Sequence, residues 1–131
     1  MAISPPFAAW IRRLSELVHE PVEIAFNGIA WAGMEKPEFE RPIITPFVIP
    51  TVLSSFWCLF RYPDSWSQSV ATAIQLGGDV DTLGAIVGAL AGVRLGVEAI
   101  PEHLRQSVQR ARPLEDLALK YHELITRDRS H

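Results

Sequence analysis

The segment from residue 77 to residue 96 constrains the fold more than any other part of the chain. It begins Gly-Gly-Asp-Val-Asp-Thr and continues with a glycine at every fourth position, Gly84, Gly88, Gly92 and Gly96. Residues four apart lie along one edge of an α-helix, and each interior glycine costs about 1 kcal/mol relative to alanine. We therefore predict a central helix from about Asp81 to Val97. Its glycines should pack closely against another helix backbone, and Trp- and Phe-bearing neighbours should enclose it.

Helical spacing of apolar residues continues through the rest of the chain. The predicted helices begin at Ser4, Pro21, Thr51, Asp64, Asp81, Pro101 and Pro113, and Ser4 and Asp64 are the expected caps. A long loop is predicted from Ala32 to Pro50, and within it the run Pro42–Ile49 is a poor strand candidate because prolines interrupt it. We expect an all-α fold, a compact multi-helix bundle that forms one domain over residues 1–131.

Composition excludes several classes of protein. A net charge of −3 over 131 residues gives no basic surface for nucleic acid. The most apolar stretch, Leu83 to Val93, is much shorter than the roughly 20 residues of a membrane span, and no signal peptide is visible. The single cysteine, Cys58, has no partner for an internal disulfide, which favours a buried, inert thiol in a reducing compartment. We expect a cytoplasmic protein without nucleic-acid or membrane partners.

The residues before the glycine-rich helix are suited to a hard divalent cation. Asp79 and Asp81 alternate, so both carboxylates can face one ion, and Thr82 adds a hydroxyl. Gly77 and Gly78 can adopt positive φ and let a ligand approach the backbone. A helix cap is the simpler interpretation, but it explains only one aspartate.

Two other generic loops fail the pattern. An EF-hand would need an oxygen ligand at Leu83 and a glutamate at Leu90. A phosphate-binding P-loop would need a Gly-Lys-Ser/Thr triplet, which the sequence lacks.

Residues 76–101 resemble the C-terminal signature of the ADP-ribosylglycohydrolase family. The signature here reads Leu-Gly-Gly-Asp-Val-Asp-Thr-Leu-Gly-Ala-Ile-Val-Gly-Ala-Leu-Ala-Gly, followed by Gly96 and Ala99-Ile100-Pro101. The resemblance extends from about residue 45 to the end of the chain. The family also includes the dinitrogenase reductase-activating glycohydrolases and the J1 crystallins. The resemblance implies an all-α fold, hydrolysis of an ADP-ribosyl glycosidic bond, and a site for two Mg²⁺ or Mn²⁺ ions.

The same resemblance implies roles for individual residues. Asp79, Asp81 and Thr82 would be metal ligands, and Gly77 and Gly78 would lie against the ADP-ribose. Many family members have a Ser-Gly-Tyr motif whose tyrosine stacks on the nucleotide base. Here that place reads Thr45-Pro46-Phe47, so Phe47 takes the stacking position, although a core aromatic is an equal alternative.

The chain departs from the family in what it lacks. Members are longer, and their N-terminal half supplies a Thr-Asp-Asp run of metal ligands and an acidic catalytic residue. This sequence has no Asp-Asp pair, and the acidic run from Glu35 to Glu40 is typical of a solvated loop. We therefore do not expect catalysis by this chain alone, and no catalytic residue can be named.

Three interpretations stay open. In the first, the chain is the C-terminal part of a glycohydrolase whose missing acids come from elsewhere. In the second, it is a non-catalytic relative, either an ADP-ribose-binding module or a crystallin-like structural protein. In the third, the loop only caps a helix, and the domain is an interaction module. A face made for the missing half should be apolar and exposed, which predicts a homodimer or a partner chain that supplies that half.

Overall fold

The computed structural model describes residues 7–33 and 42–128, without the side chain of Phe7. The predicted cap at Ser4 and the acidic run from Glu35 to Glu40 lie outside these residues. Within them the chain forms seven α-helices and no strand, which confirms the all-α prediction. The helices are α1 Phe7–Leu17, α2 Val22–Ala30, α3 Val48–Arg61, α4 Trp66–Gln75, α5 Val80–Leu95, α6 Glu102–Ser107 and α7 Ala111–Asp128, with a short 3₁₀ turn at Val97–Ala99.

Three helix starts differ from the prediction. Asp64 was expected to cap α4, but this is wrong, because the Ser65 hydroxyl accepts the N–H of Gln68 at 3.3 Å and caps the helix. Helix α3 begins at Val48 rather than Thr51. Helix α7 begins at Ala111, two residues before the expected Pro113, since the first turn of a helix tolerates proline.

The helices α1 to α5 belong to a compact unit that ends at Ala99. Trp57 of α3 is fully buried, and its indole N–H donates to the carbonyl of Leu17 at 3.0 Å. The Arg61 guanidinium lies over the Trp57 ring and donates to the carbonyl of Val18 at 2.8 Å. These bonds satisfy carbonyls that the end of α1 leaves without helical partners. The buried core includes Leu14, Ala25, Ile29, Ile44, Leu53, Trp57, Cys58, Leu83 and Val87.

The thiol of Cys58 lies inside this core. It is a free, buried cysteine, as its surroundings in the sequence predicted. Burial raises its pKa to about 12, since an apolar environment disfavours the thiolate. The thiol is therefore protonated and unreactive in the folded protein at neutral pH.

Helix α5 buries only one of its faces within the described part of the chain. Leu83, Val87 and Ala91 are fully buried, whereas Val93 is 90% exposed. The predicted helix exists, but the expectation that neighbours enclose it is wrong for its outer face.

The expected backbone contact along the glycines is also wrong. Side chains of α4 cover this edge: the Trp66 indole N–H donates to the Gly88 carbonyl at 3.0 Å, and Ile74 lies beside Gly84. A Cβ on Gly92 would meet nothing within 4 Å among the described residues. The glycines accommodate bulky side chains at Gly84 and Gly88 and leave an open surface at Gly92.

A second compact unit begins at Ile100 and contains α6 and α7. Arg105 forms an ion pair with Glu115 at 3.8 Å. No residue of α7 is buried, and Leu114, Leu117, Tyr121 and Leu124 of its apolar stripe are all more than half exposed. The single domain over residues 1–131 stays a prediction. Among the described helices, none has the length and apolar character needed to cross a membrane.

Candidate metal centre

The loop between α4 and α5 depends on two glycines in the left-handed region. Gly77 has φ +78° and Gly78 has φ +84°, which agrees with the positive φ that the sequence predicted. The two positions differ in their surroundings. A Cβ on Gly78 would overlap the backbone carbonyl of Ile44, whereas a Cβ on Gly77 would point into open space. Gly78 is therefore required by a close approach of two backbones, and Gly77 leaves room beside it.

Ile44 holds this loop in place from a distant part of the chain. Its N–H donates to the Gly77 carbonyl at 3.2 Å, and its carbonyl accepts the N–H of Asp79 at 2.9 Å. The two segments form an isolated parallel bridge at Ile44 and Gly78, and the Ile44 side chain is buried. Sequence reasoning missed this residue. The one signal was the strand-like run Pro42–Ile49, which supplies a single bridge instead of a strand.

Asp79 and Asp81 stand at the start of α5, where free N–H groups favour negative charge. Asp79 is at the N-cap position, but its side chain makes no capping hydrogen bond. Asp81 accepts the N–H of Thr82 at 3.0 Å. Capping therefore does not account for Asp79. The interpretation that this loop only caps a helix is not supported at this residue.

The two carboxyl groups interact with each other. A hydrogen bond with the Asp79 side chain lowers the pKa of Asp81 first, and the backbone N–H groups of Thr82 and Asp81 lower it further. Asp81 and Thr82 are exposed, and Asp79 is half-buried. No ion pair to either aspartate occurs among the described residues. Two adjacent carboxyl groups without a basic partner repel each other unless a proton or a cation lies between them.

This donor set fits part of a hard-cation site. Two carboxylates and a neighbouring hydroxyl are oxygen donors of the kind that Mg²⁺ and Mn²⁺ take. No group of three or more His, Cys, Asp or Glu side chains suited to a metal occurs in residues 7–33 and 42–128. Asp79, Asp81 and Thr82 are the oxygen-bearing side chains of this loop, and a complete site would need further ligands from water, substrate or another segment.

A cleft of about 580 Å³ adjoins the loop on the side of Gly77. Its polar lining groups are Glu23, Asn27 and Gln75, and its apolar ones include Phe26. Phe47 does not line this cleft. It lies just before α3, and 39% of its surface is exposed. Phe47 is therefore not a core aromatic, which was the alternative to the stacking position.

The sequence matches the model of the family described as ADP-ribosylglycohydrolase over residues 3–131. The chain therefore belongs to the ADP-ribosylglycohydrolase family. It is 26% identical to ADP-ribosylhydrolase ARH3 of Mus musculus over 127 residues, which cover 92% of this chain and 32% of that protein. The Homo sapiens protein of the same name is 24% identical, over 92% of this chain and 33% of its own length.

A shorter match reaches higher identity. ADP-ribosylhydrolase ARH3 of Xenopus tropicalis is 34% identical over 86 residues, which cover 60% of this chain and 25% of that protein. The chain thus spans about a third of the length of the curated relatives it matches. No solved structure matches it at a significant level.

Proposed function

We propose that this chain supplies half of a divalent-metal site for hydrolysis of an ADP-ribosyl glycosidic bond. Asp79, Asp81 and Thr82 would hold Mg²⁺ or Mn²⁺, and the remaining acidic ligands would come from outside this chain. One observation carries the proposal: the left-handed turn at Gly77 and Gly78, hydrogen-bonded to Ile44, sets Asp79 and Asp81 at the start of α5, where neither forms an ion pair among the described residues. Membership of the family supports the same chemistry.

The residues of the loop have separate tasks in this proposal. The carboxylates of Asp79 and Asp81 bind the cation, and the bond from the Thr82 N–H to Asp81 fixes one carboxylate at the helix start. The bridge to Ile44 keeps the carboxylates in register with the segment that precedes α3. When bound, the metal would act as a Lewis acid, hold ribose hydroxyls and lower the pKa of a water.

Gly77, Gly78 and Phe47 are the proposed substrate contacts. Open space at the Cβ position of Gly77 allows ADP-ribose to approach the backbone there. At Gly78 the Cβ position faces Ile44, so its part would be to allow the close backbone approach that keeps Gly77 beside the ligand. Phe47 has exposed ring surface for stacking on a base. No catalytic acid or base is assigned within this chain.

A second function, binding of ADP-ribose without turnover, is favoured by the incomplete donor set. No third acidic or histidine ligand joins Asp79 and Asp81 among the described residues. Mg²⁺ held by few protein ligands keeps most of its waters and binds weakly. A crystallin-like structural role belongs to the same non-catalytic alternative. In that role the loop would bind no ligand at all.

Mn²⁺ titration followed by electron paramagnetic resonance tests the proposed metal half-site. We expect one weakly bound Mn²⁺ per chain, lost in Asp81→Asn and in Asp79→Asn. Asp64→Asn is the matched control, since Asp64 is an exposed carboxylate outside the loop and pairs only weakly with Arg94 at 3.5 Å. Equal Mn²⁺ binding by all three variants would overturn the proposal. Release of ADP-ribose from an ADP-ribosylated substrate by this chain alone would instead overturn the need for outside ligands.

A further inference from the structure

The segment of residues 44–47 joins two parts of the proposed site. At its start, the carbonyl of Ile44 accepts the N–H of Asp79 at 2.9 Å and so contacts the loop of the carboxylates. At its end lies Phe47, the proposed stacking residue, with 39% of its surface exposed. Because a chain extends by at most about 3.6 Å per residue, the Cα atoms of Ile44 and Phe47 lie within about 11 Å of each other. The position of this segment therefore affects both the carboxylate loop and the ring.

The hydroxyl of Thr51, in the first turn of α3, holds the far end of segment 44–47. It donates to the Phe47 carbonyl at 2.9 Å and shares its proton with the Thr45 carbonyl at 3.2 Å. A bond to the carbonyl four residues earlier is common for a threonine in a helix. The bond to the carbonyl six residues earlier is not a helical one, and it forms where the chain bends at Pro46 before α3 begins. Because only 7% of Thr51 is exposed, water does not readily replace these bonds.

The two serines of α3 do not reach this segment. Ser55, one turn after Thr51, is 1% exposed and donates to the Thr51 carbonyl at 2.8 Å, so its bond stays within the helix. Ser54 is fully buried, and its hydroxyl has no hydrogen-bond partner among the described residues. Of the three hydroxyl-bearing residues of α3, Thr51 is thus the one that bonds to residues preceding the helix.

We propose that Thr51 is a positioning residue of the candidate site, which fixes segment 44–47 so that the Asp79 loop and the Phe47 ring keep one spacing. This inference rests on the proposed function, which supplies the ligand that the spacing has to match. Loss of the hydroxyl removes a buried donor from the carbonyls of Thr45 and Phe47. The segment then moves more freely, and the bond from Asp79 to Ile44 weakens with it. A ligand that contacts both the metal and the ring binds less tightly as a result.

Amide hydrogen exchange of the full chain, followed by NMR, tests the positioning role without any ligand. In Thr51→Val, which keeps the shape and removes the hydroxyl, the Asp79 amide should exchange about fivefold faster relative to the Val87 amide of the core, as expected for one lost hydrogen bond. Thr51→Ser keeps the hydroxyl and should restore the wild-type ratio. Ser55→Ala is the matched control, since it removes a buried hydroxyl bond one turn away and should leave the ratio unchanged. Circular dichroism melting identifies a variant that fails to fold, and Thr51→Ala then replaces Thr51→Val.

Binding measurements on the same variants complete the test. Thr51→Val should bind Mn²⁺, and ADP-ribose in the presence of Mn²⁺, about fivefold more weakly than the wild type, whereas Thr51→Ser and Ser55→Ala should match it. Unchanged affinities or an unchanged Asp79 exchange ratio in Thr51→Val would overturn the positioning role. An equal change in Ser55→Ala, or no rescue by Thr51→Ser, would overturn it as well. No Mn²⁺ binding by the wild type would overturn the proposed metal half-site instead, so the two failures are distinguishable.

Discussion

Helices α5 and α7 both carry apolar stripes, but their environments differ. Leu83 and Val87 of α5 are fully buried against the core, whereas Leu117 and Leu124 of α7 are both more than 60% exposed. The stripe of α7 is regular in sequence, whereas α5 carries no charged residue between Asp81 and Arg94 and is apolar on all sides. Periodicity therefore indicates that a helix has an apolar side, but burial depends on what other segments provide. The motif of the candidate site begins the helix that is anchored in the core.

The largest expected effect contrasts one leucine from each helix. Leu83→Ala removes a fully buried side chain and should lower the free energy of unfolding by about 2–5 kcal/mol. Leu117→Ala removes the same atoms from an exposed position and should change it by less than about 0.5 kcal/mol. Urea denaturation followed by circular dichroism measures both. Equal losses would mean that α7 is buried in solution and would remove the contrast between the helices.

The two loop glycines give a second matched pair. Gly78→Ala should lower the free energy of unfolding by about 3 kcal/mol, because left-handed strain adds to the loss of the hydrogen bonds with Ile44. Gly77→Ala adds only the strain, about 1 kcal/mol, since its Cβ meets no neighbour. Thermal melts of both variants test this order. A more damaging change at Gly77 would show that the bridge to Ile44 does not hold the loop.

The buried thiol of Cys58 makes the free energy of unfolding depend on pH. Its pKa in the folded protein is about 12, while an unfolded cysteine titrates near 8.5. Above pH 8.5 the unfolded chain therefore loses a proton that the folded chain keeps, and stability falls as pH rises, by about 2 kcal/mol at pH 10. Cys58→Ala should lack this part of the alkaline decline. Identical slopes between pH 8 and 10 would mean that the thiol is not buried.

Amide hydrogen exchange should differ between α5 and α7, and it is measured without any mutation. Amide protons of α5 near Val87 should exchange only through opening of the core, and those of α7 near Tyr121 should exchange much faster. Mass spectrometry of deuterated peptides measures both. Comparable protection in α7 would show that its stripe is covered in solution.

The sequence was sufficient for the all-α class and for the order of the described helices, because apolar spacing and the prolines at helix starts are local signals. It was also sufficient for the positive φ at Gly77 and Gly78. The cap of α4 was misassigned to Asp64, since an aspartate and a serine in succession are both good caps and local geometry chose Ser65.

Non-local features could not be predicted. The bridge from Ile44 to the loop joins segments more than 30 residues apart, and no periodicity encodes it. The glycine edge of α5 was assigned to a helix backbone, but Trp66 occupies it through a hydrogen bond to the Gly88 carbonyl. Whether Asp79 caps the helix also depended on side-chain geometry that the sequence leaves open.

Calorimetric titration of ADP-ribose into the chain, with and without Mn²⁺, tests the central claim most directly. We predict measurable binding only with Mn²⁺, lost in Asp81→Asn and retained in Asp64→Asn, because the direct contacts at Gly77, Gly78 and Phe47 are too few to bind the nucleotide without the metal. Binding of equal strength without Mn²⁺, or no binding at millimolar ADP-ribose with Mn²⁺ present, would contradict the claim that Asp79, Asp81 and Thr82 form half of a metal-dependent ADP-ribose site.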